Sequence, residues 1–267
     1  MLELDQYDPL APASRSHYEY IRRWFETPTD AEHLVRALWQ SYSDSGRFDH
    51  GHWALMYSQL WWQGLPAGEQ RLRVSRIGRA MALKLMQAHP EHAAGPFWSA
   101  AFLGFDALVR GVLDSLNMIP EFFKLLDEAE RRDPEYLLGT VWLAKAKAYI
   151  KLPPFPMSIG SVKKGVAYLE KARPLQEPAY GLWHITRAEA ELATSGEAAA
   201  LKALDGLSNV CPPDMQSIYT YEISAWFAGK FRNVVANGTY NKYTWDPMLE
   251  SALPLLSQPA NIPACVR

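Results

Sequence analysis

The densest group of ligand-type side chains is His50-Gly51-His52, with Asp44 and Asp49 close by. Two imidazoles and a carboxylate suit zinc or another transition ion. Gly51 is expected to hold the pair in a loop, and no second ligand pair follows at a diagnostic spacing. The expectation is therefore polar residues at a helix start and no metal. His89 and His92 flank Pro90 and are expected in a solvated loop. His184 lies beside Trp183 with Arg187 and Glu189 following, either a helix histidine satisfied by its neighbours or a ligand contact in a groove. No metalloprotease HExxH, nucleophile-elbow, P-loop or dinucleotide-binding pattern occurs. Gly104 and Gly111 suit helix ends better than a phosphate cradle. Carboxylates fall at helix starts and in surface pairs such as Asp127 and Arg131. No catalytic residue and no cofactor is assigned, and the reading leans away from an enzyme.

Aromatic residues are the sharper lead, with 10 Trp, 13 Tyr and 10 Phe. Trp53, Tyr57 and Trp61 fall at i, i+4 and i+8 on one helical face. Trp98, Phe102 and Phe105 repeat the theme, followed by Trp142 and Tyr149 and then Trp183. Rings pointing between helices are core. Rings pointing to the concave side of a helical stack line a groove for an apolar ligand or a partner peptide. The candidate groove is Trp53, Tyr57, Trp61, Trp98, Phe102, Trp142, Tyr149, Trp183 and His184. Its lip is the stiff loop 152–160, represented by Pro154 and Phe155, with Ser161 capping the helix that follows.

The elements that would position these residues are helical almost throughout. Apolar Leu34, Val35, Leu38, Trp39 and Tyr42 predict a helix over 30–44, capped by Thr29 or Asp30 and stopped by Gly46. The stripe from Trp53 to Trp61 predicts a second helix, ended by Gly64 and Pro66. Further helices are predicted near 67–88, 120–132, 214–232 and 246–257, and no segment alternates as a strand would.

An internal repeat organises them. Pro90, Pro134 and Pro178 each follow a helix and are 44 residues apart (134 − 90 and 178 − 134). Ten residues after each stands Ala100, Ala144 or Ala188, near Trp98, Trp142 or Trp183. Proline ends one helix, and the small residue lets the next helix approach its partner. Such pairs bury their apolar faces only by stacking on one another. In this the chain resembles the tetratricopeptide-repeat superfamily, at a longer repeat than the usual 34. The resemblance implies an all-α stack of antiparallel helix pairs, an α-solenoid. A narrower likeness joins Asp133-Pro134-Glu135-Tyr136, Gly139, the run Lys151-Leu152-Pro153-Pro154-Phe155-Pro156-Met157-Ser158-Ile159-Gly160-Ser161 and Tyr168-Leu169-Glu170-Lys171-Ala172. It is similar to the T component associated with TRAP-type transporters, with Gly165 departing from an expected alanine. That resemblance implies a scaffold holding a protein partner, such as a solute-binding subunit.

The resulting layout is a lead-in over 1–29, a degenerate repeat stack over 30–210 and a helical cap and tail over 211–267. A chain of 267 residues is long enough for a sizeable core. A net charge of −2 argues against nucleic-acid binding. Basic residues gather mildly at Arg71, Arg73, Arg76 and Arg79 and at Lys163, Lys164, Lys171 and Arg173, as solvated faces or as a docking site for an acidic protein. No apolar run is long enough to span a membrane, and the acidic start is not a secretory signal, so the expectation is a cytoplasmic protein, or a periplasmic one if a leader was removed. Cys211 and Cys265 are expected as free thiols rather than a bridge. The function expected is a non-catalytic scaffold for a protein partner. The alternatives are a protein binding a small hydrophobic ligand and, further off, an enzyme on a helical frame. Self-association is open.

Overall fold

The computed structural model describes residues 2–256 and 258–267, and it is all-α, a stack of twelve α-helices linked by short 3-10 turns. The helices are α1 (Arg15–Arg22), α2 (Pro28–Ser45), α3 (Phe48–Gly64), α4 (Glu69–Ala88), α5 (Ala94–Arg110), α6 (Ile119–Arg132), α7 (Tyr136–Lys151), α8 (Val162–Gln176), α9 (Gly181–Thr194), α10 (Glu197–Ala203), α11 (Met215–Ala236) and the single turn α12 (Leu253–Leu256). Neighbours pack in sequence order, α2 on α3, α4 on α5, α7 on α8 and α9 on α10, and α11 closes onto α9. Among the described residues no strand forms, and no helix is long and apolar enough to cross a membrane.

The local chemistry explains the boundaries. Thr27, two to three residues earlier than expected, caps α2: its hydroxyl accepts from the Asp30 amide at 3.2 Å, and Pro28 takes the first helical position, where no amide partner is needed. Ser161 caps α8 as expected, accepting from the Lys164 amide. The helices before Pro90, Pro134 and Pro178 end at Ala88, Arg132 and Gln176, so the 44-residue punctuation marks real helix pairs. Gly95 explains a close crossing: a Cβ there would lie 2.5 Å from the Met86 backbone, so only glycine lets α5 meet α4 here. Gly165 has the same role, because a Cβ would meet Ile150 at 2.6 Å across the α7–α8 contact. Its departure from alanine is a packing requirement.

The two ends of the chain clasp each other. Arg22 of α1 forms a buried ion pair with Glu222 of α11 at 2.9 Å and donates to the carbonyls of Leu255, Leu256 and Gln258. Arg71 of α4 is fully buried, which corrects its expected place on a solvated face. It donates to the carbonyls of Gln63, Leu65, Met248 and Glu250 and lies 4.3 Å over the Trp62 ring. Burial brings its pKa down to about 10, so it remains charged at neutral pH. Over the described part of the expected helix 246–257, which leaves out Ser257, the chain forms a 3-10 turn, Pro247–Leu249, and α12 instead, because the segment is drawn across these arginines. Cys211 and Cys265 form a disulfide, not two free thiols: the fold brings their Cα atoms to 6.0 Å, and the bridge staples the tail to the end of the stack.

Candidate functional site

A cavity of about 240 Å³ opens between α5, α6 and α7. Phe97, Trp98, Phe105 and Leu108 of α5 form one wall. Ile119, Phe122 and Leu126 of α6 form the second, with Val112 and Met118 from the preceding turn. Leu143 of α7 and Leu182 of α9 add to the apolar lining. The space exists because small residues face it: Ala101, Gly104 and Ala107 on α5, and Ala144 and Ala148 on α7. Gly104 lies inside α5 rather than at its end, and a Cβ there would sit 3.2 Å from the Phe122 ring.

One end of the cavity is polar. Lys147 and Lys151 of α7 reach it on the same helical face at i and i+4, and Asp246 meets them from the C-terminal segment. Lys147 Nζ donates to Asp246 Oδ1 at 3.1 Å. Lys151 Nζ pairs with Glu189 of α9, lies 3.7 Å from Asp246 Oδ2 and donates to the Trp245 carbonyl at 2.8 Å. Burial alone would lower the pKa of Lys151, but the Glu189 and Asp246 carboxylates outweigh it and hold it above the usual lysine value. Burial would likewise raise Asp246, yet Lys147 and Lys151 keep it below the usual carboxylate range. Two cations and two anions thus form a neutral cluster beside an apolar chamber. In the sequence, Glu189 stands out only as a neighbour of His184.

A hydrogen-bonded relay backs the opposite wall. Trp98 Nε1 donates to the Tyr136 hydroxyl at 2.9 Å, and that hydroxyl donates to Nε2 of His52. Tyr136 is turned toward α3 by a left-handed turn at Leu137, Leu138 and Gly139, with φ of 47°, 59° and 72°. Non-glycine residues there cost about 1–2 kcal/mol each. Burial and the nearby His92 push the His52 pKa down to about 3, so the ring is neutral and can accept. His92, expected to be solvated, packs 4.1 Å from the Phe48 ring centroid.

The other candidate residues divide among several places. Of the nine groove residues, Trp98 lines the cavity. Trp53, Tyr57 and Trp61 are core, because α3 is buried nearly all round, with 14 of its 17 residues inside. Tyr57 stacks on Phe25 and donates to the Tyr7 carbonyl at 2.6 Å. Phe102 is buried against Gly78. Trp142 and Trp183 belong to a second core cluster between α7, α8 and α9, where Trp142 donates to Glu130 and Trp183 to the Leu169 carbonyl. Tyr149 stacks on Tyr168 at 5.8 Å. The His184 Nε2 lies 3.0 Å from the Glu177 carbonyl, as a satisfied helix histidine would, and its ring leaves no room for a Cβ at Gly206. Pro154 and Phe155 are on the surface, with Phe155 87% exposed.

His50 and His52 lie within α3, not in a loop. Two residues apart on a helix, they point to opposite sides. His50 instead meets Asp5 and Asp49, the one group of three metal-type ligands among the described residues. Arg47 is ion-paired to both carboxylates, at 2.8 and 2.6 Å, and so already supplies the positive charge. Asp44 accepts from Gln40.

The cavity residues missed by sequence reasoning are mainly Phe122, Ile119, Lys147, Lys151 and Asp246. One signal was present: Lys145, Lys147 and Lys151 interrupt an otherwise apolar α7. No protein-family model matches the chain, and no curated protein matches it.

Proposed function

We propose that this chain is a non-catalytic binding protein of the tetratricopeptide type, and that it holds a small apolar molecule in the chamber between α5, α6 and α7. The observation that carries this reading is a cavity of about 240 Å³ with largely apolar walls and a single charged cluster, Lys147, Lys151 and Asp246. A dry cavity of about 150 Å³ accepts benzene, so simple scaling gives an occupant of about ten non-hydrogen atoms. The ion pairs at the polar end are internally balanced, which suits orientation of a ligand better than proton transfer. The scaffold reading, with a protein partner such as the solute-binding subunit of a TRAP-type transporter, rests on the repeat spacing and the loop resemblance. It has less support, because most of the expected groove rings pack in the core. The disulfide favours an oxidising compartment, and we therefore place the protein outside the cytoplasm.

Naphthalene, with ten carbons, is a suitable probe. Titration followed by calorimetry is expected to show saturable one-to-one binding. Ala144→Phe, which fills the chamber, is expected to weaken it at least about tenfold while leaving the helical circular dichroism intact. Equal binding by the two proteins would reject the chamber as the site.

A further inference from the structure

We propose that the loop 153–160, together with Lys163 and Lys164, docks the protein on an anionic lipid surface. Six large apolar side chains are exposed among the described residues, and three of them lie within five positions of this loop. They are Phe155 at 87% exposure, Met157 at 63% and Ile159 at 46%. The loop cannot fold back to hide them. Pro153, Pro154 and Pro156 restrict its backbone, and three internal bonds close it: the Met157 and Ser158 amides donate to the Pro154 carbonyl at 3.1 and 3.2 Å, and Gly160 donates to Pro153 at 2.8 Å. The base is tied to α7 by the Ser161 amide, which donates to the Tyr149 carbonyl at 2.8 Å. The result is a rigid, convex apolar tip.

The charge around the tip selects the surface it meets. Residues 136–169 contain Lys145, Lys147, Lys151, Lys163 and Lys164 and no Asp or Glu. The first three are neutralised internally: Lys145 pairs with Asp127 and Glu130, Lys147 with Asp246, and Lys151 with Glu189. Lys163 and Lys164 are exposed on the first turn of α8, immediately after the loop, and have no carboxylate partner among the described residues. Cations at a helix start oppose the helix dipole, so helix stability gives no reason for two lysines here. Apolar side chains reaching the acyl boundary, with lysines at the headgroups, is how a peripheral protein binds an anionic bilayer. The net charge of −2 for the whole chain makes this cationic patch local, which favours one orientation on the surface.

The test is co-sedimentation of the full chain with vesicles of phosphatidylcholine alone or with about 30% phosphatidylglycerol. The expected result is binding to the mixed vesicles that weakens as salt is raised, and little binding to phosphatidylcholine. Lys163→Gln with Lys164→Gln is expected to reduce that binding about thirtyfold, from about 1 kcal/mol per lysine. Phe155→Ser is expected to reduce it about tenfold. Leu113→Ser, at an exposed leucine in the turn before α6, should change nothing, and unaltered thermal melting of the loop variants would show that their folds are intact. Failure of the wild-type chain to bind the mixed vesicles, as expected if the loop docks a protein instead, would overturn the proposal. So would retention of full binding by both loop variants.

Discussion

At the clasp between the chain ends, Arg22 and Arg71 are buried largely among carbonyl oxygens; at the cavity, a buried Lys151 and a half-buried Lys147 lie beside two carboxylates. A guanidinium offers five donors in a fixed plane, so one side chain can hold several carbonyls of a segment that forms little regular structure. The described residues 246–256 and 258 belong to such a segment. An ammonium is a compact charge with rotatable donors and leaves room around it. Lys147 keeps about one-fifth of its side chain exposed while Arg71 is fully buried, whereas Lys151, held between two carboxylates, is as buried as Arg22. The clasp is built to be immobile, and the cavity end is built to keep charge balanced beside open space.

The largest effect is expected where a charge at the clasp loses its only carboxylate. Glu222→Ala leaves Arg22 buried and also removes the acceptor for the Tyr18 hydroxyl, and should cost about 4 kcal/mol in urea unfolding. A loss under about 1 kcal/mol would mean that the carbonyls alone satisfy Arg22. Reducing the Cys211–Cys265 bridge should be of similar size, at about 4 kcal/mol for a separation of 54 residues, read as a lower melting temperature.

Behind the cavity wall, His52 is joined to Trp98 through Tyr136, and its effect depends on pH. Its folded pKa of about 3 lies below the ordinary value of about 6.5, so at pH 5 the unfolded chain binds a proton that the folded chain does not. Its contribution is fully present above about pH 6.5 and is lost as pH falls toward about 3, amounting to about 2 kcal/mol between pH 7.5 and pH 5. His92 and His184 are also held low by burial and add in the same direction. His52→Gln should flatten the slope of stability against pH in that window; an unchanged slope would assign it to the other histidines. The smallest effect is expected at the cavity end. Lys147→Met leaves Asp246 beside Lys151 and should cost about 1 kcal/mol, well below Glu222→Ala. A cost equal to that at the clasp would erase the contrast between the regions.

Much of the helical layout is legible in the sequence. The prolines at 90, 134 and 178 and the caps at Gly46 and Ser161 act through their own backbone or the next turn, so they can be recognised locally. The candidate site was far less legible. An aromatic stripe such as Trp53, Tyr57 and Trp61 shows that a helical face is apolar, but a helix buried on all sides has no solvent side for comparison. The pairing of His50 with His52 failed for a related reason: two positions apart means neighbours in a loop and opposite faces in a helix.

The sequence by itself determined that the chain forms paired helices, where most of them stop, and that one proline-rich loop is stiff and is followed by a capped helix with two adjacent lysines. These properties follow from short-range hydrogen bonding, backbone sterics and composition. Only the tertiary structure decided that Cys211 meets Cys265, that Asp246 and Glu189 neutralise the lysines of α7, and that small residues of α5 and α7 face each other across an open chamber. Those relations join positions tens of residues apart. They depend on the angles at which helices cross, which no local spacing specifies.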